Sequence, residues 1–309
     1  MIKIQFAADW PRWKEYKHVL SLELARAGLQ AELSRTHPPD EVDYIVYAPN
    51  PDLTDFTPYI RTKAVLSLWA GVEDITPNAT LTQPLTRMVD AGLREGMVEW
   101  VTGHVLRHHL GMDAHIVNSD HLWDPATPPL ARHRTVGILG LGELGRACAQ
   151  ALSALNFNVI GWSRTARKVP GIACKAGDDG LMETLESAEI LVLLLPLTNA
   201  TENLLNTDRL AQLPQGAVIL NPGRGALIDD AALLSALDGG HLAHATLDVF
   251  RTEPLPADDP FWHHPKITVT PHIASATRPD TASQVIAENI RRSEAGEPLL
   301  HLVDRKAGY

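Results

Sequence analysis

The sequence predicts an α/β protein in which a doubly wound, mostly parallel sheet is joined to a second, smaller α/β segment. Three observations predict it. Six short apolar runs, β-branched or leucine-rich, follow one another at residues 135–139, 159–162, 190–195, 217–221, 243–248 and 267–270. Helical patterns lie between them, including residues 142–155, 180–188 and 230–238, the last opened by acidic residues that suit a helix N-terminus. The first run passes directly into a three-glycine turn, Gly140-Leu-Gly142-Glu-Leu-Gly145, and then into a helical pattern. Strands that alternate with helices in this way pair in parallel and carry helices on both faces.

Ahead of these runs, strands are expected near residues 2–6, 44–47 and 64–68, with a helix near 14–27 that stops at Gly28. Two long helical patterns, roughly 86–109 and 280–295, flank the six-run region. They would carry the chain out of the first segment and back, so that this segment is discontinuous and recovers the tail from about Ala282. The predicted division is residues 1–98 with 282–309 against residues 99–281.

Composition excludes several classes. A chain of 309 residues with 45% hydrophobic content can bury the cores of two ordinary domains, which a disordered chain cannot. A net charge of −10, from 27 basic and 37 acidic residues without long like-charge runs, gives no footprint for nucleic acid. Cys148 and Cys174 cannot build a disulfide framework and lack metal-ligand spacing, so no metal is expected. His104 and His108 have helical i,i+4 spacing but no glutamate in the zinc-protease pattern, and are read as structural. The opening residues alternate like a strand and lack a signal peptide's apolar centre, and the run 190–195 is far too short to span a bilayer. A cytoplasmic chain without a membrane partner is expected.

The glycine turn follows a strand and opens a helix, the context in which it holds a dinucleotide. Gly140 permits the tight turn, Gly142 lets backbone approach a pyrophosphate, and Gly145 lets helix pack on strand. Free amides and the dipole at the helix start, around Glu143 and Leu144, favour phosphate charge. At the end of the next strand, a carboxylate would bond the ribose 2′-hydroxyl of NAD. This chain instead has Trp162-Ser163-Arg164-Thr165, with Arg167 and Lys168 behind. Hydroxyls and cations suit a 2′-phosphate, so NADP(H) is expected over NAD(H); the alternative is an exposed basic turn.

Ligands of open α/β sheets gather beyond the carboxyl ends of the strands. Arg224, Glu253 and His272 each follow one of the last three runs. Moving hydride onto a carbonyl carbon builds negative charge on oxygen, which calls for a proton donor and a nearby cation. His272 fits the first need and Arg224 the second, with Glu253 as the partner that orients the imidazole. Arg224 also suits bidentate grip on a carboxylate.

At these residues the sequence resembles the D-isomer-specific 2-hydroxyacid dehydrogenase family. The likeness runs over nearly the whole chain, through Gly140-Leu-Gly-Glu-Leu-Gly145, Leu195-Pro-Leu-Thr198, Asn221-Pro-Gly-Arg-Gly-Ala-Leu-Ile-Asp229, Asp248-Val-Phe-Arg-Thr-Glu-Pro254 and Thr270-Pro-His-Ile-Ala274. Within the family it is most similar to the glyoxylate/hydroxypyruvate reductase A branch. That likeness rests on Ser67-Leu-Trp-Ala-Gly-Val-Glu73, Met97-Val-Glu-Trp100, Trp162-Ser-Arg-Thr165 and Val303-Asp-Arg-Lys-Ala-Gly-Tyr309. The resemblance implies a Rossmann dinucleotide domain and a discontinuous flavodoxin-like substrate domain.

It further implies Arg224 as the substrate-carboxylate ligand, His272 as acid/base, Glu253 as its pair and Asp248 as the holder of the nicotinamide carboxamide. Pro196 and Leu197 would line the cofactor site, and the backbone of Ala70, Gly71 and Val72 would meet the substrate carboxylate. Tyr47 falls where the branch has an aromatic pocket wall, although core packing explains it equally well. Glu73 replaces a usual aspartate and Trp69 a smaller residue; Trp69 either narrows the pocket or packs.

The expected reaction is reduction of glyoxylate, hydroxypyruvate or another small 2-ketoacid to the D-2-hydroxyacid. Alternatives are another D-2-hydroxyacid or a phosphite-type dehydrogenase, or a catalytically silent corepressor-like relative that senses cofactor. A homodimer is expected, joined partly through residues 111–130, which carry Met112, Ile116, Val117, Leu122 and Trp123.

Overall fold

The computed structural model describes residues 1–50, 52–305 and 307–308; Lys306 and Tyr309 of the closing motif lie outside the described residues. In chain order the first elements are β1 (Ile2–Ala7), α1 (Trp10–Arg26), β2 (Ala31–Ser34), β3 (Tyr44–Tyr47), β4 (Ala64–Ser67), β5 (Leu85–Thr86), α2 (Ala91–His109) and α3 (Asp113–Ile116). There follow β6 (Thr135–Leu139), α4 (Glu143–Ala154), β7 (Asn158–Ser163), β8 (Ala173–Ala176), α5 (Gly177–Ser187), β9 (Ile190–Leu193) and α6 (Thr207–Leu210). The last are β10 (Ala217–Asn221), α7 (Asp230–Asp238), β11 (Leu242–Leu247), β12 (Ile267–Val269) and α8 (Pro279–Glu294). Two compact units result, Met1–Leu93 with Ala276–Tyr309, and Arg94–Ser275. Both transitions fall a few residues before the positions read from the sequence.

In the Arg94–Ser275 unit, seven parallel strands run in the order β12-β11-β10-β9-β6-β7-β8. Alternate residues point to opposite faces of a strand, and both faces here are apolar. Val136 and Ile138 of β6, Ile190 and Val192 of β9, and Val218 and Leu220 of β10 pack with Val101 and Val105 of α2 and Cys148, Ala149 and Leu152 of α4. The intervening Leu139, Leu191, Leu193 and Ile219 pack with Leu181 and Leu185 of α5, Leu210 of α6, and Leu233 and Leu237 of α7. The sheet is therefore doubly wound, and its winding reverses where β6 pairs with both β7 and β9.

The sequence predicts six strands here, and the seventh, β8, corrects it. Its Ala-Cys-Lys-Ala is an edge strand whose residues are nowhere fully buried and include no β-branched side chain, so it carries no hydrophobic signal.

The other unit has five parallel strands in the flavodoxin-like order β2-β1-β3-β4-β5. One face packs Ile4, Phe6, Val46 and Leu66 against Tyr16, Leu20 and Leu24 of α1 and Ala282, Ile286 and Ile290 of α8. Ile45, Tyr47 and Val65 on the other face meet Phe56, Leu81 and Val303. Helix α1 begins earlier than the expected residue 14, because Asp9 caps it by accepting the Arg12 amide at 3.0 Å. It ends at Gly28, where φ is +73° and the Leu29 amide reaches back to the Leu24 carbonyl. Helix α2 starts at Ala91 rather than 86, since Thr86 pairs with Leu66 in the sheet and bridges to Leu302. Among the described residues, no helix is long and apolar enough to cross a membrane.

A polar cluster fastens the end of α2 to the sheet. His108 Nε2 lies 2.9 Å from Thr246 Oγ1, His244 Nε2 lies 2.8 Å from Thr268 Oγ1, and Arg107 donates to Thr268 Oγ1 at 3.0 Å and to Asp113 at 2.6 Å. Burial holds both imidazoles neutral, followed by the neighbouring His244 for His108 and by Arg107 for His244. His108 is pushed down to about 3 and His244 to about 4, with Asp113 opposing in each case. Unfolded histidine binds its proton near pH 6.5, so this contribution to stability is complete above that pH and is lost as pH falls toward 4 and 3. Each group should cost about 1–2 kcal/mol between pH 7 and 5. The prediction is that urea unfolding midpoints of the wild type fall over this range, and that His108→Gln/His244→Gln flattens the slope. Parallel slopes would show that these histidines titrate normally.

Candidate active site

The glycine turn leaves β6 at the reversal point of the sheet. Gly140 has φ +110°, and a β-carbon there would run into the Leu194 carbonyl, so the turn requires glycine. At Gly145 a β-carbon would collide with the Gly140 carbonyl oxygen, which is how closely α4 approaches the turn. Gly142 differs: a β-carbon would meet nothing within 4 Å, and α4 starts there with no side-chain cap. Open space in front of uncapped helix amides is what a bound pyrophosphate would use. Glu143 lies in that first turn, paired with Arg146, and Leu144 packs on the core beneath.

Ser163 ends β7 and is buried, its Oγ donating to the Thr165 carbonyl at 2.8 Å. That bond shapes the loop that presents Arg164 and Thr165 as exposed side chains, with Arg167 and Lys168 exposed beyond them. Pro196 and Leu197 follow β9 and are partly buried, with the Pro196 carbonyl accepting from Thr201 Oγ1 at 2.8 Å.

Arg224, Glu253 and His272 follow β10, β11 and β12, three neighbouring strands at one side of the sheet. Asn221 builds the Arg224 turn, its Oδ1 accepting the Gly223 amide at 3.1 Å and its Nδ2 donating to the Arg224 carbonyl at 2.9 Å. The Arg224 guanidinium, partly buried, donates to the Gly223 carbonyl at 2.7 Å. His272 Nδ1 lies 2.6 Å from Glu253 Oε2, while Glu253 Oε1 accepts the Phe250 amide at 2.9 Å. The imidazole side chain is 52% exposed, leaving Nε2 for a ligand. With Glu253 accepting at Nδ1, a proton on Nε2 can be delivered outward.

Asp248 is wholly buried, with Thr270 Oγ1 at 2.5 Å and the Ile273 amide at 2.9 Å on Oδ1, and the Ala274 amide at 2.8 Å on Oδ2. Burial raises its carboxyl above the usual range, opposed by those hydrogen bonds. A carboxamide contact, as the resemblance implies for Asp248, would have to share acceptors that already hold the 270–274 turn.

In the other unit, the Trp69 amide donates to Ser67 Oγ at 3.0 Å, and the Trp69 carbonyl accepts the Met88 amide at 2.9 Å. No hydrogen bond within the described chain uses the amides of Ala70, Gly71 or Val72. Tyr47 is 7% exposed and packs on Phe56 with ring centroids 5.6 Å apart, so its ring belongs to the core.

A Rossmann sheet with this glycine turn, ending in an arginine and a histidine–carboxylate pair, defines a dehydrogenase that uses a nicotinamide dinucleotide. Residues 103–274 match the model of the D-isomer specific 2-hydroxyacid dehydrogenase NAD binding domain. Over 257 residues the chain is 41% identical to glyoxylate/hydroxypyruvate reductase A of Serratia proteamaculans (strain 568), covering 81% of this chain and 82% of that one. The corresponding enzyme of Yersinia enterocolitica is 39% identical over 258 residues, with the same coverage of 81% and 82%.

Among solved structures, a D-isomer specific 2-hydroxyacid dehydrogenase from Xanthobacter autotrophicus Py2, in complex with NADPH and MES, superposes with a TM-score of 0.91 at 38% identity, covering 100% of this chain and 99% of that one. The NADPH-dependent glyoxylate/hydroxypyruvate reductase from Sinorhizobium meliloti, in complex with NADP and sulfate, gives 0.86 at 34%, with coverage of 100% and 99%. The chain belongs to the D-isomer specific 2-hydroxyacid dehydrogenase family.

Sequence reasoning missed how two of these loops are coupled. A β-carbon at Gly225 would run into the Phe250 backbone, so the turn bearing Arg224 lies directly on the segment that orients Glu253. Gly225→Ala should therefore displace both, and misplacement of about 1 Å costs on the order of 10²-fold in turnover. Steady-state rates, with circular dichroism to verify folding, test this; a folded variant at wild-type rate would show that the loops move independently.

Proposed function

We propose that this enzyme reduces glyoxylate, hydroxypyruvate or a similarly small 2-ketoacid to the D-2-hydroxyacid, with NADPH preferred over NADH. The observation that carries the chemistry is the His272–Glu253 pair at 2.6 Å, with Arg224 in the turn after the neighbouring β10. Arg224 grips the substrate carboxylate and offsets charge building on the carbonyl oxygen, and His272 gives that oxygen its Nε2 proton. Glu253 keeps the imidazole in the tautomer and orientation this needs. The nicotinamide, when bound, supplies the hydride. Gly140, Gly142, Glu143, Leu144 and Gly145 would hold the pyrophosphate, Ser163, Arg164 and Thr165 the ribose phosphate, and Pro196 and Leu197 the cofactor beyond. The amides of Ala70, Gly71 and Val72 would add donors to the substrate carboxylate, and the names of the curated relatives support the substrate choice.

NADPH oxidation with a panel of 2-ketoacids tests the reading. Glyoxylate or hydroxypyruvate should lead the panel, and no turnover of any 2-ketoacid would reject it in favour of a silent cofactor-binding relative. His272→Ala should lower turnover by about 10²–10⁴-fold with near-normal NADPH affinity. Glu253→Gln keeps an acceptor for the Phe250 amide and should cost less. A His272→Ala enzyme of ordinary activity would remove the imidazole from the mechanism.

A homodimer belongs to the same proposal. Trp123 is 94% exposed, Val117 77%, and Ile116 and Leu122 68% each, more apolar surface than a solvated segment carries. Light scattering should give twice the chain mass at micromolar concentration, and a monomer there would reject the dimer.

Cofactor preference rests on Arg164, since no carboxylate stands between Trp162 and Gly171 to reward a free 2′-hydroxyl. A hydrogen bond to a charged group is worth roughly 1.5–3 kcal/mol, so Arg164→Ala should weaken NADPH about 10- to 150-fold and NADH far less. Comparing kcat/KM for both cofactors at one ionic strength measures this, and equal losses would reduce the loop to a basic turn.

A further inference from the structure

We infer that Arg12 is a positioning residue that sets selectivity for substrate size, by holding the indole of Trp69 still. The guanidinium carbon of Arg12 sits 5.8 Å from the centre of the Trp69 ring, a cation–π distance. Arg12 is itself fixed. The Asp9 carboxylate that caps α1 by accepting the Arg12 amide at 3.0 Å also takes its Nη1 at 2.5 Å, so one carboxylate starts the helix and aims the cation. Lys14 and Arg35 lie over Trp10 instead, at 5.8 and 5.2 Å.

The backbone of Trp69 is equally constrained. Ser67 Oγ accepts its amide at 3.0 Å and donates to its carbonyl at 3.2 Å, and the Met88 amide adds a bond to that carbonyl at 2.9 Å. With the main chain tied, the freedom left to Trp69 is rotation of a partly buried indole that packs on the core on one side, and the Arg12 contact adds to that restraint. Trp69 immediately precedes the 70–72 turn. The inference rests on the proposal that this turn receives the substrate carboxylate: an indole held beside it leaves room for glyoxylate and hydroxypyruvate but not for a long or aromatic side chain. An indole released from Arg12 can turn aside.

Arg12 touches no substrate, so its effect passes through Trp69 and must vanish when Trp69 is gone. The measurement is the ratio of kcat/KM for phenylpyruvate to that for glyoxylate, with NADPH, in wild type, Arg12→Ala, Arg12→Lys, Trp69→Ala and Arg12→Ala/Trp69→Ala. A ratio taken within one preparation does not depend on how much of it is folded. Exposed cation–π contacts correspond to about 2- to 5-fold, so Arg12→Ala should raise the ratio by that factor. Arg12→Lys, which keeps a cation but not its plane, should raise it less. Trp69→Ala should raise it more, and adding Arg12→Ala to Trp69→Ala should change nothing further.

An unchanged ratio in both Arg12 variants overturns the inference, as does an Arg12→Ala effect that persists in full without Trp69. If wild type reduces no 2-ketoacid at all, the proposed function has failed. If wild type reduces glyoxylate and the ratio does not move, only the role of Arg12 has failed.

Discussion

Asp248 has no exposed surface, and its carboxylate accepts from Thr270 Oγ1 and from the amides of Ile273 and Ala274, while its carbonyl accepts the His272 amide at 2.9 Å. Those four bonds enclose His272, whose φ of +54° lies in the left-handed region that a β-carbon makes unfavourable by about 1–2 kcal/mol. A histidine there without such a frame would relax to an ordinary conformation and turn its ring away from Glu253. Burial of the carboxylate makes the frame stiff as well as strong, because amides aimed at a desolvated anion have no water to exchange for it. The 2.6 Å pairing with Glu253 is thus inherited from a residue that directly follows β11 and never reaches the surface.

The sheet sets the remaining geometry. Because both faces of β9 and β10 are covered by helices, the side chains free to meet a ligand stand at the strand ends, and the parallel arrangement puts all carboxyl ends on one edge. The glycine turn after β6 and the three loops after β10, β11 and β12 share that edge. Gly225 then lets two of these loops pack backbone to backbone, so that the cation and the carboxylate are spaced by main chain rather than by flexible side chains.

Much of this was legible in the sequence, for identifiable reasons. The glycine turn, the strands with Val, Ile and Leu runs, and the residues at their ends announce themselves by pattern and order. Edge elements did not: β2, β8 and the two-residue β5 are held by neighbours rather than by apolar periodicity. Asp9 gave a capping signal before Trp10-Pro11 that fixes where α1 begins, and the chemistry of caps makes it readable in retrospect. The enclosing role of Asp248 was hidden, since its donors lie more than twenty residues on in a separate loop. The Arg12–Trp69 contact was hidden in the same way, because no local rule joins a helix start to the end of β4.

One unit is contiguous and the other is assembled from both ends of the chain, and this orders events during synthesis. Tyr16, Leu20 and Leu24 of α1 need Ala282, Ile286 and Ile290 of α8 to close their core, yet roughly 250 residues separate the two helices. At about 5–20 residues per second, the ribosome delivers α8 on the order of ten seconds or more after α1. Meanwhile the Arg94–Ser275 segment emerges whole and can complete its sheet without help from either terminus. The nascent amino-terminal strands must wait with the face that α1 and α8 share only partly covered, an apolar surface open to other contacts until α8 arrives.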